Sequence, residues 1–154
     1  MKITNPAGDS FELNILGYEF PEIPDNPEDA NWLLIEIRIN SGESAWKAIH
    51  PCLTTDEVDQ LATWLKNIRK NILPESICAF IEPNLEFQLV ENEAGKQYLR
   101  IFFALEFQPA EESSDIAGMG DLWMDFDLDS LDPAALAHEL RSELQKYPPR
   151  APAS

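Results

Sequence analysis

Basic residues are scarce in this sequence: 11 Lys and Arg stand against 28 Asp and Glu in 154 residues, a formal net charge of -17. Phosphate binding depends on Lys and Arg, so the deficit argues against DNA, RNA and anionic lipid as partners. The same charge raises solubility and speeds encounter with cationic molecules, although its self-repulsion destabilises the compact state. We therefore expect a basic protein partner, no nucleic acid and no membrane.

Sequence features of secretion, membrane insertion or cofactor binding are also missing. The two cysteines, Cys52 and Cys78, lack metal-ligand spacing and are expected to be reduced thiols. The six glycines form neither a dinucleotide-binding fingerprint nor a P-loop. No apolar run approaches the roughly 20 residues that cross a bilayer, and residues 1–10 lack the apolar region of a secretory signal. We expect a cytoplasmic protein without metal or cofactor.

The two histidines, His50 and His138, do not indicate an active site. Neither belongs to a recognisable nucleophile pattern or to a metal-ligand spacing. Cys52 follows His50 on the same face of a predicted strand, and we interpret both as ordinary core or surface residues. The sequence therefore contains no positive evidence for an enzyme.

Alternating apolar and polar side chains predict six strands, at 11–15, 32–40, 45–53, 85–89, 97–107 and 122–129. A capping-box pattern at Thr54 and Glu57 begins a helix over about 54–71. Asp132 and Pro133 begin a second helix over about 133–147. Antiparallel hairpins dominate, so we predict an α+β fold with a mainly antiparallel β-sheet and the two helices packed on it. One domain should span 1–148, followed by a disordered tail at 149–154.

The chain has no basic residue between Arg100 and Arg141. All ten charged side chains within this stretch are acidic, and they are Glu106, Glu111, Glu112, Asp115, Asp121, Asp125, Asp127, Asp129, Asp132 and Glu139. Six of the ten lie in the predicted loop 108–120 or on the predicted strand 122–129. We predict that this region binds the partner through Glu111, Glu112, Asp115, Asp121, Trp123, Asp125, Asp127 and Asp129.

The aspartates of the last strand allow other interpretations. The D-x-D-x-D motif from position 125 matches the opening of a calcium-binding loop, but Ser130 occupies the glycine position and Leu136 that of the bidentate glutamate. A solvated face that prevents edge aggregation is a second alternative. Trp123 either anchors a partner or is covered by a helix or loop. The binding hypothesis requires that the protein's own lysines and arginines do not neutralise these carboxylates.

Three short motifs carry a family resemblance: D-x-N-W-L from position 29, P-C-L-x-x-x-E from 51 and L-x-x-W-L from 61. In this pattern a strand opening on Asn-Trp-Leu pairs with a second strand, and a corner containing proline and leucine enters the helix. The region 29–107 thereby resembles the WapI-like family of small bacterial immunity proteins. The resemblance implies a non-catalytic protein that neutralises a toxin by stoichiometric binding, and it transfers no binding residue.

The leading hypothesis is therefore an acidic immunity protein that binds a basic, nuclease-type toxin. Toxins that cleave nucleic acid must bind phosphate and are usually basic, so their potential complements that of an acidic inhibitor. The alternative is a small-ligand-binding or regulatory module with an apolar pocket lined by Trp32, Trp46 or Trp64. A hydrolytic or metal-dependent enzyme is the third class.

Overall fold

The computed structural model describes residues 1–42, 44–68, 76–109 and 122–150. These residues form eight strands: β1 Lys2–Thr4, β2 Ser10–Tyr18, β3 Trp32–Ser41, β4 Ser44–Thr54, β5 Ile77–Ala79, β6 Leu85–Glu91, β7 Gln97–Phe103 and β8 Leu122–Asp127. The two helices are α1 Thr55–Asn67 and α2 Pro133–Leu144, and short 3-10 turns cover Leu105–Phe107 and Leu128–Ser130. The predicted α+β class is confirmed.

The strands form two antiparallel sheets, with order β1-β2-β3-β4 in the first sheet and β5-β6-β7-β8 in the second. Phe11 of β2 packs against Phe87 and Phe103 of the second sheet, with ring centroids 6.1 and 5.8 Å apart. The facing sides of both sheets therefore contribute to one hydrophobic core. The sequence pattern did not specify this division into two sheets, because alternation marks the buried side of a strand but not its neighbours.

In the first sheet, the predicted inward face of β3 is confirmed. Leu33, Ile35, Ile37 and Ile39 are all buried, as expected for every second side chain of a strand that lines the core. On the opposite side, Glu36 of β3 is also shielded from solvent, and its carboxylate accepts from Arg38 at 2.8 Å and lies 3.8 Å from Lys47. The outer side of this sheet therefore holds a compensated charge.

In the second sheet, the predicted strand 97–107 is too long. β7 ends at Phe103, and Leu105 adopts a left-handed backbone with φ of 51°, which residues other than Gly, Asn and Asp rarely adopt. The alternation predicted that Leu105 is buried, but its exposed fraction is 42%, whereas Phe107, two residues later, is buried. The turn brings Phe107 back to the core, and its carbonyl accepts the Trp46 indole N–H at 2.9 Å.

The helix starts agree with their capping signals. Thr54 and Glu57 form the predicted capping box at α1, and Asp132 accepts the Ala135 backbone N–H at α2. The two helices pack against each other, α1 also contacts β4, and α2 contacts β2. The end of α2 differs from the prediction. The helix ends at Leu144 rather than at 147, because the next backbone N–H groups, those of Lys146 and Tyr147, donate to carbonyls three residues back rather than four. Residues 69–71 of the predicted first helix lie outside the described residues.

Arg150 was predicted to lie in a disordered tail, but it is held in place by several contacts. Its guanidinium donates to the carbonyls of Phe20, Pro21 and Ala30 and lies 3.7 Å from the ring centroid of Tyr18. These bonds close the acidic loop between β2 and β3 over Ala30, which is fully buried. Residues 151–154 of the predicted tail lie outside the described residues.

Candidate functional site

The outer side of the second sheet carries the described part of the predicted binding region. Met124 and Phe126 point into the core, so the alternate residues Trp123, Asp125 and Asp127 point outward. Trp123 keeps an exposed fraction of 43%. Asp129 follows in the 3-10 turn, where its backbone N–H donates to the Asp127 carboxylate. The remaining predicted residues, Glu111, Glu112, Asp115 and Asp121, lie outside the described residues.

Cations of the protein itself neutralise two of these carboxylates. Arg100 lies opposite Asp125 in the β7–β8 register and donates two hydrogen bonds of 2.8 Å to it. Lys96 lies 2.8 Å from Asp127. The Lys96 ammonium, followed by the Asp129 backbone N–H, holds the pKa of Asp127 below its usual value. The expectation of carboxylates without internal counter-charges is therefore wrong at both positions, because β7 and the β6–β7 turn supply the cations.

Aromatic rings accompany these ion pairs. Phe102 lies opposite Trp123 in the register, and their ring centroids are 5.7 Å apart. The Arg100 guanidinium lies 4.7 Å from the Trp123 ring, and Tyr98 lies opposite Asp127. We call these six residues the sheet-two face: Tyr98, Arg100, Phe102, Trp123, Asp125 and Asp127. Trp, Tyr and Arg are the side chains that most often dominate binding energy in protein interfaces.

A second acidic region lies where β4, the start of α1 and the loop before β6 meet the turn after β7. The thiol of Cys52 at this place has a pKa raised by burial and by the charges of Glu57, Glu82 and Glu106. His50 Nε2 lies 3.8 Å from Glu106, and the Asn84 amide also contacts Glu106. We call these residues the junction cluster: His50, Glu57, Glu82, Asn84 and Glu106. Sequence reasoning did not find it.

Glu106 is held in place by the backbone and by Asn84. The Asn84 side-chain N–H donates to Glu106 Oε2 at 2.6 Å. Hydrogen bonding from its own backbone N–H and from Asn84, with a smaller contribution from His50, lowers the pKa of Glu106. The side chain of Glu106 nonetheless remains 51% exposed. Its carboxylate is therefore held in one orientation by hydrogen bonds, while the side chain as a whole is about half exposed.

Glu57 in the junction cluster has a structural task. One carboxylate oxygen accepts the Thr54 backbone N–H of the capping box at 3.0 Å, and the other accepts the Ile81 backbone N–H at 2.7 Å. Glu57 thereby ties the start of α1 to the loop before β6. The capping-box pattern identified the first of these bonds in the sequence, but the second joins residues that are 24 positions apart.

The buried thiol of Cys52 is not an activated nucleophile. The raised pKa of Cys52 keeps its thiol protonated at neutral pH, and a protonated thiol is a poor nucleophile. Among residues 1–42, 44–68, 76–109 and 122–150, no group of three or more His, Cys, Asp and Glu side chains could hold a metal ion. In the same part of the chain, no helix has the length and apolar character to cross a membrane. Trp64 belongs to the hydrophobic core, and the partly buried Trp46 packs against it.

Comparison with known proteins identifies a family. The family model described as "Immunity protein WapI-like family" matches residues 2–148. The match confirms the resemblance drawn from the three motifs and extends it well beyond the region 29–107. No curated protein and no solved structure matches the chain significantly.

Proposed function

The chain belongs to the WapI-like immunity protein family, and from this membership we propose that it neutralises a cognate toxin by binding it in a stoichiometric complex. The acidic composition, with a net charge of -17, supports a basic toxin such as a nuclease, because complementary potentials accelerate association. Inhibition then requires no chemistry from the immunity protein. It requires only that a surface of the toxin be covered.

The proposed contact surface is the sheet-two face, extended by Asp129 and by the acidic segment that contains Glu111, Glu112, Asp115 and Asp121. The observation that supports it is the exposed Trp123, whose ring lies 5.7 Å from the Phe102 ring and 4.7 Å from the Arg100 guanidinium. A large ring that neighbouring side chains already orient loses little conformational entropy on binding. Trp123 is therefore the proposed anchor of the interface.

The internal ion pairs change the electrostatic part of the hypothesis. Asp125 and Asp127 already bind Arg100 and Lys96, so they are not empty sites for toxin lysines and arginines. Steering then comes from the summed field of the whole chain, and salt screens that field over about 8–10 Å at 0.1–0.15 M. Raising the salt concentration should slow association much more than it speeds dissociation.

The test measures binding of a cognate toxin, sought among the products of the neighbouring genes, by titration calorimetry and stopped-flow fluorescence. We expect one-to-one binding, and Trp123→Ala should weaken it by roughly 30-fold or more, as for an interface hot spot. Ile49→Ala is the control, because Ile49 has a similar exposed fraction of 47% on the first sheet. Equal affinity of both variants would refute the proposed face. Complete inhibition far below equimolar amounts would refute stoichiometric neutralisation.

A further inference from the structure

We propose that the segment 147–150 is a clasp that keeps the acidic loop 20–30 closed, and that this loop opens as a unit when Arg150 leaves its seat. The loop lies between β2 and β3, and the clasp follows α2. The family model ends at residue 148, so family membership does not account for Arg150. The clasp uses no residue of the sheet-two face and does not depend on the toxin. It therefore adds a conformational device to the proposed function.

The seat of Arg150 engages all three nitrogens of its guanidinium. Nε donates to the Ala30 carbonyl at 2.9 Å, and Nη1 donates to the Pro21 carbonyl at 3.1 Å. Nη2 donates to the carbonyls of Phe20 and Ala30 at 2.8 and 2.6 Å. These acceptors belong to both ends of the loop, and a planar fork of donors can join them in a way that a lysine ammonium cannot. One side chain therefore holds the two ends of the loop together.

The backbone of the clasp is tied to the same place by Asn31. The Arg150 backbone N–H donates to the Asn31 side-chain oxygen at 2.7 Å, and the Asn31 side-chain amide donates back to the Arg150 carbonyl at 2.9 Å. The backbone carbonyl of Asn31 accepts the N–H of Thr55, the first residue of α1, at 3.0 Å. Asn31 therefore connects the clasp to the start of a helix that packs on the core.

Two tyrosines position the segment between α2 and Arg150. The Tyr18 hydroxyl donates to the Pro148 carbonyl, and the Tyr147 hydroxyl donates to the Leu16 carbonyl at 3.3 Å. The two rings meet edge to face with centroids 5.7 Å apart. The Arg150 guanidinium lies 3.7 Å from the centroid of the Tyr18 ring, and a cation over an aromatic face is attracted by the quadrupole of the ring. Tyr18 thus contacts both the start and the end of the clasp.

The loop has few contacts of its own that would keep it closed. It begins beyond the Glu19 N–H, which donates to the Trp32 carbonyl at 2.8 Å, and Ala30 is the one buried residue of 20–30. The hydrogen bonds within the loop join positions at most four apart. Among the described residues, the hydrogen bonds that tie 20–30 to a distant segment come from Arg150. Segments with so few buried contacts open locally at a low free energy, so the seat of Arg150 decides whether the loop is closed.

The charge of the loop also favours opening. The loop carries Glu22, Asp25, Glu28 and Asp29, and within the described parts of the chain no lysine or arginine forms an ion pair with any of them. Like charges in one short segment repel each other. Loss of the Arg150 side chain therefore removes a positive charge from this segment as well as the hydrogen bonds to its carbonyls.

Hydrogen exchange followed by nuclear magnetic resonance compares the unaltered chain with Arg150→Met, which keeps an unbranched stem and removes every side-chain donor. The amides of Ile23, Asn26 and Ala30 donate within the loop and report on its opening. We expect their exchange to accelerate about tenfold or more, and by a common factor, because the hydrogen bonds of a charged donor are lost. The amides of β7 should exchange as before. Unchanged exchange in the loop, different factors for the three amides, or equal acceleration in β7 would overturn the clasp.

Two further variants separate the planar fork of donors from charge alone. Arg150→Lys keeps the positive charge but lacks the fork, and it should accelerate exchange in the loop nearly as much as Arg150→Met does. Lys146→Met removes a cation whose ion pair is with Glu143 at 2.8 Å, and it should change exchange in the loop by less than about twofold. Thermal unfolding checks that each variant keeps the fold. A loop that stays protected in Arg150→Lys, or one that Lys146→Met opens as much as Arg150→Met does, would overturn the clasp.

Discussion

The sheet-two face and the junction cluster are both acidic, but they hold their carboxylates in different ways. On the sheet-two face, Asp125 binds Arg100 of the neighbouring strand β7, and Asp127 binds Lys96 of the β6–β7 turn. In the junction cluster, Glu106 is oriented by its own backbone N–H and by Asn84, both uncharged. Ion pairs cancel the local field, whereas neutral donors orient a carboxylate and leave its charge available to a partner. The density of acidic residues in a sequence therefore does not locate the uncompensated charge.

The largest expected effect concerns the two sides of β7, of which one faces the core and the other belongs to the sheet-two face. Phe103 is fully buried and packs against Phe11 and Trp46, so Phe103→Ala should lower the free energy of unfolding by about 3–5 kcal/mol. Its neighbour Phe102 is only half-buried on the sheet-two face, and Phe102→Ala should cost about 1 kcal/mol. Urea unfolding of the two variants measures the difference. Similar losses would mean that the two sides of β7 do not differ in burial.

The second effect concerns the structural carboxylate of the junction cluster. Glu57→Ala removes the acceptor of two backbone N–H groups and should cost about 1–2 kcal/mol of unfolding free energy. Asp56→Ala, at an exposed position in the same helical turn, should cost about 0.3–0.5 kcal/mol through the helix dipole. Denaturant unfolding at pH 7 compares them. If Asp56→Ala cost as much, the loop connection through Ile81 would contribute nothing.

The third effect tests the neutralisation of the sheet-two face. Arg100 and Asp125 form a bidentate pair with side chains about one-third exposed, so their coupling energy should be about 0.5–1 kcal/mol. A double-mutant cycle with Arg100→Met and Asp125→Asn measures it. The same cycle with His50→Asn and Glu106→Gln should give a smaller value, because those atoms are 3.8 Å apart. If the coupling energy of His50 and Glu106 exceeded that of Arg100 and Asp125, the two regions would not differ in the way that we describe.

The smallest effect concerns titration. Lys96→Met should raise the pKa of Asp127 towards its ordinary value of 3.8, because the lysine is the largest cause of the lowered value. The pKa of Glu106 should stay lowered in this variant, since its backbone and Asn84 donors remain. A lowered folded-state pKa contributes stability above the ordinary value, and this contribution disappears as the pH falls through the lowered one. Carboxyl-carbon resonances measure both values, and a parallel rise of both would contradict separate local causes.

Local patterns in the sequence predicted the elements whose causes are local. Alternation along β3 predicted its buried side, and the capping box at Thr54 and Glu57 placed the start of α1 within one residue. The strand after position 97 was predicted too long, because alternation continues through Leu105 while the backbone turns into a left-handed conformation there. The alternation therefore predicted the burial of Phe107 correctly and that of Leu105 wrongly. The predicted anchor Trp123 could be named, but its Arg100 neighbour could not.

The sequence by itself determined the α+β class, the inward faces of the strands, the helix caps and the overall negative charge, because each follows from side chains close together in the chain. Only the tertiary structure decided which carboxylates are neutralised. The Arg100–Asp125 pair depends on strand register, and the junction cluster joins His50, Asn84 and Glu106 from three separate segments. Charge interactions act through space over a few ångströms, so their outcome depends on contacts that sequence spacing does not encode.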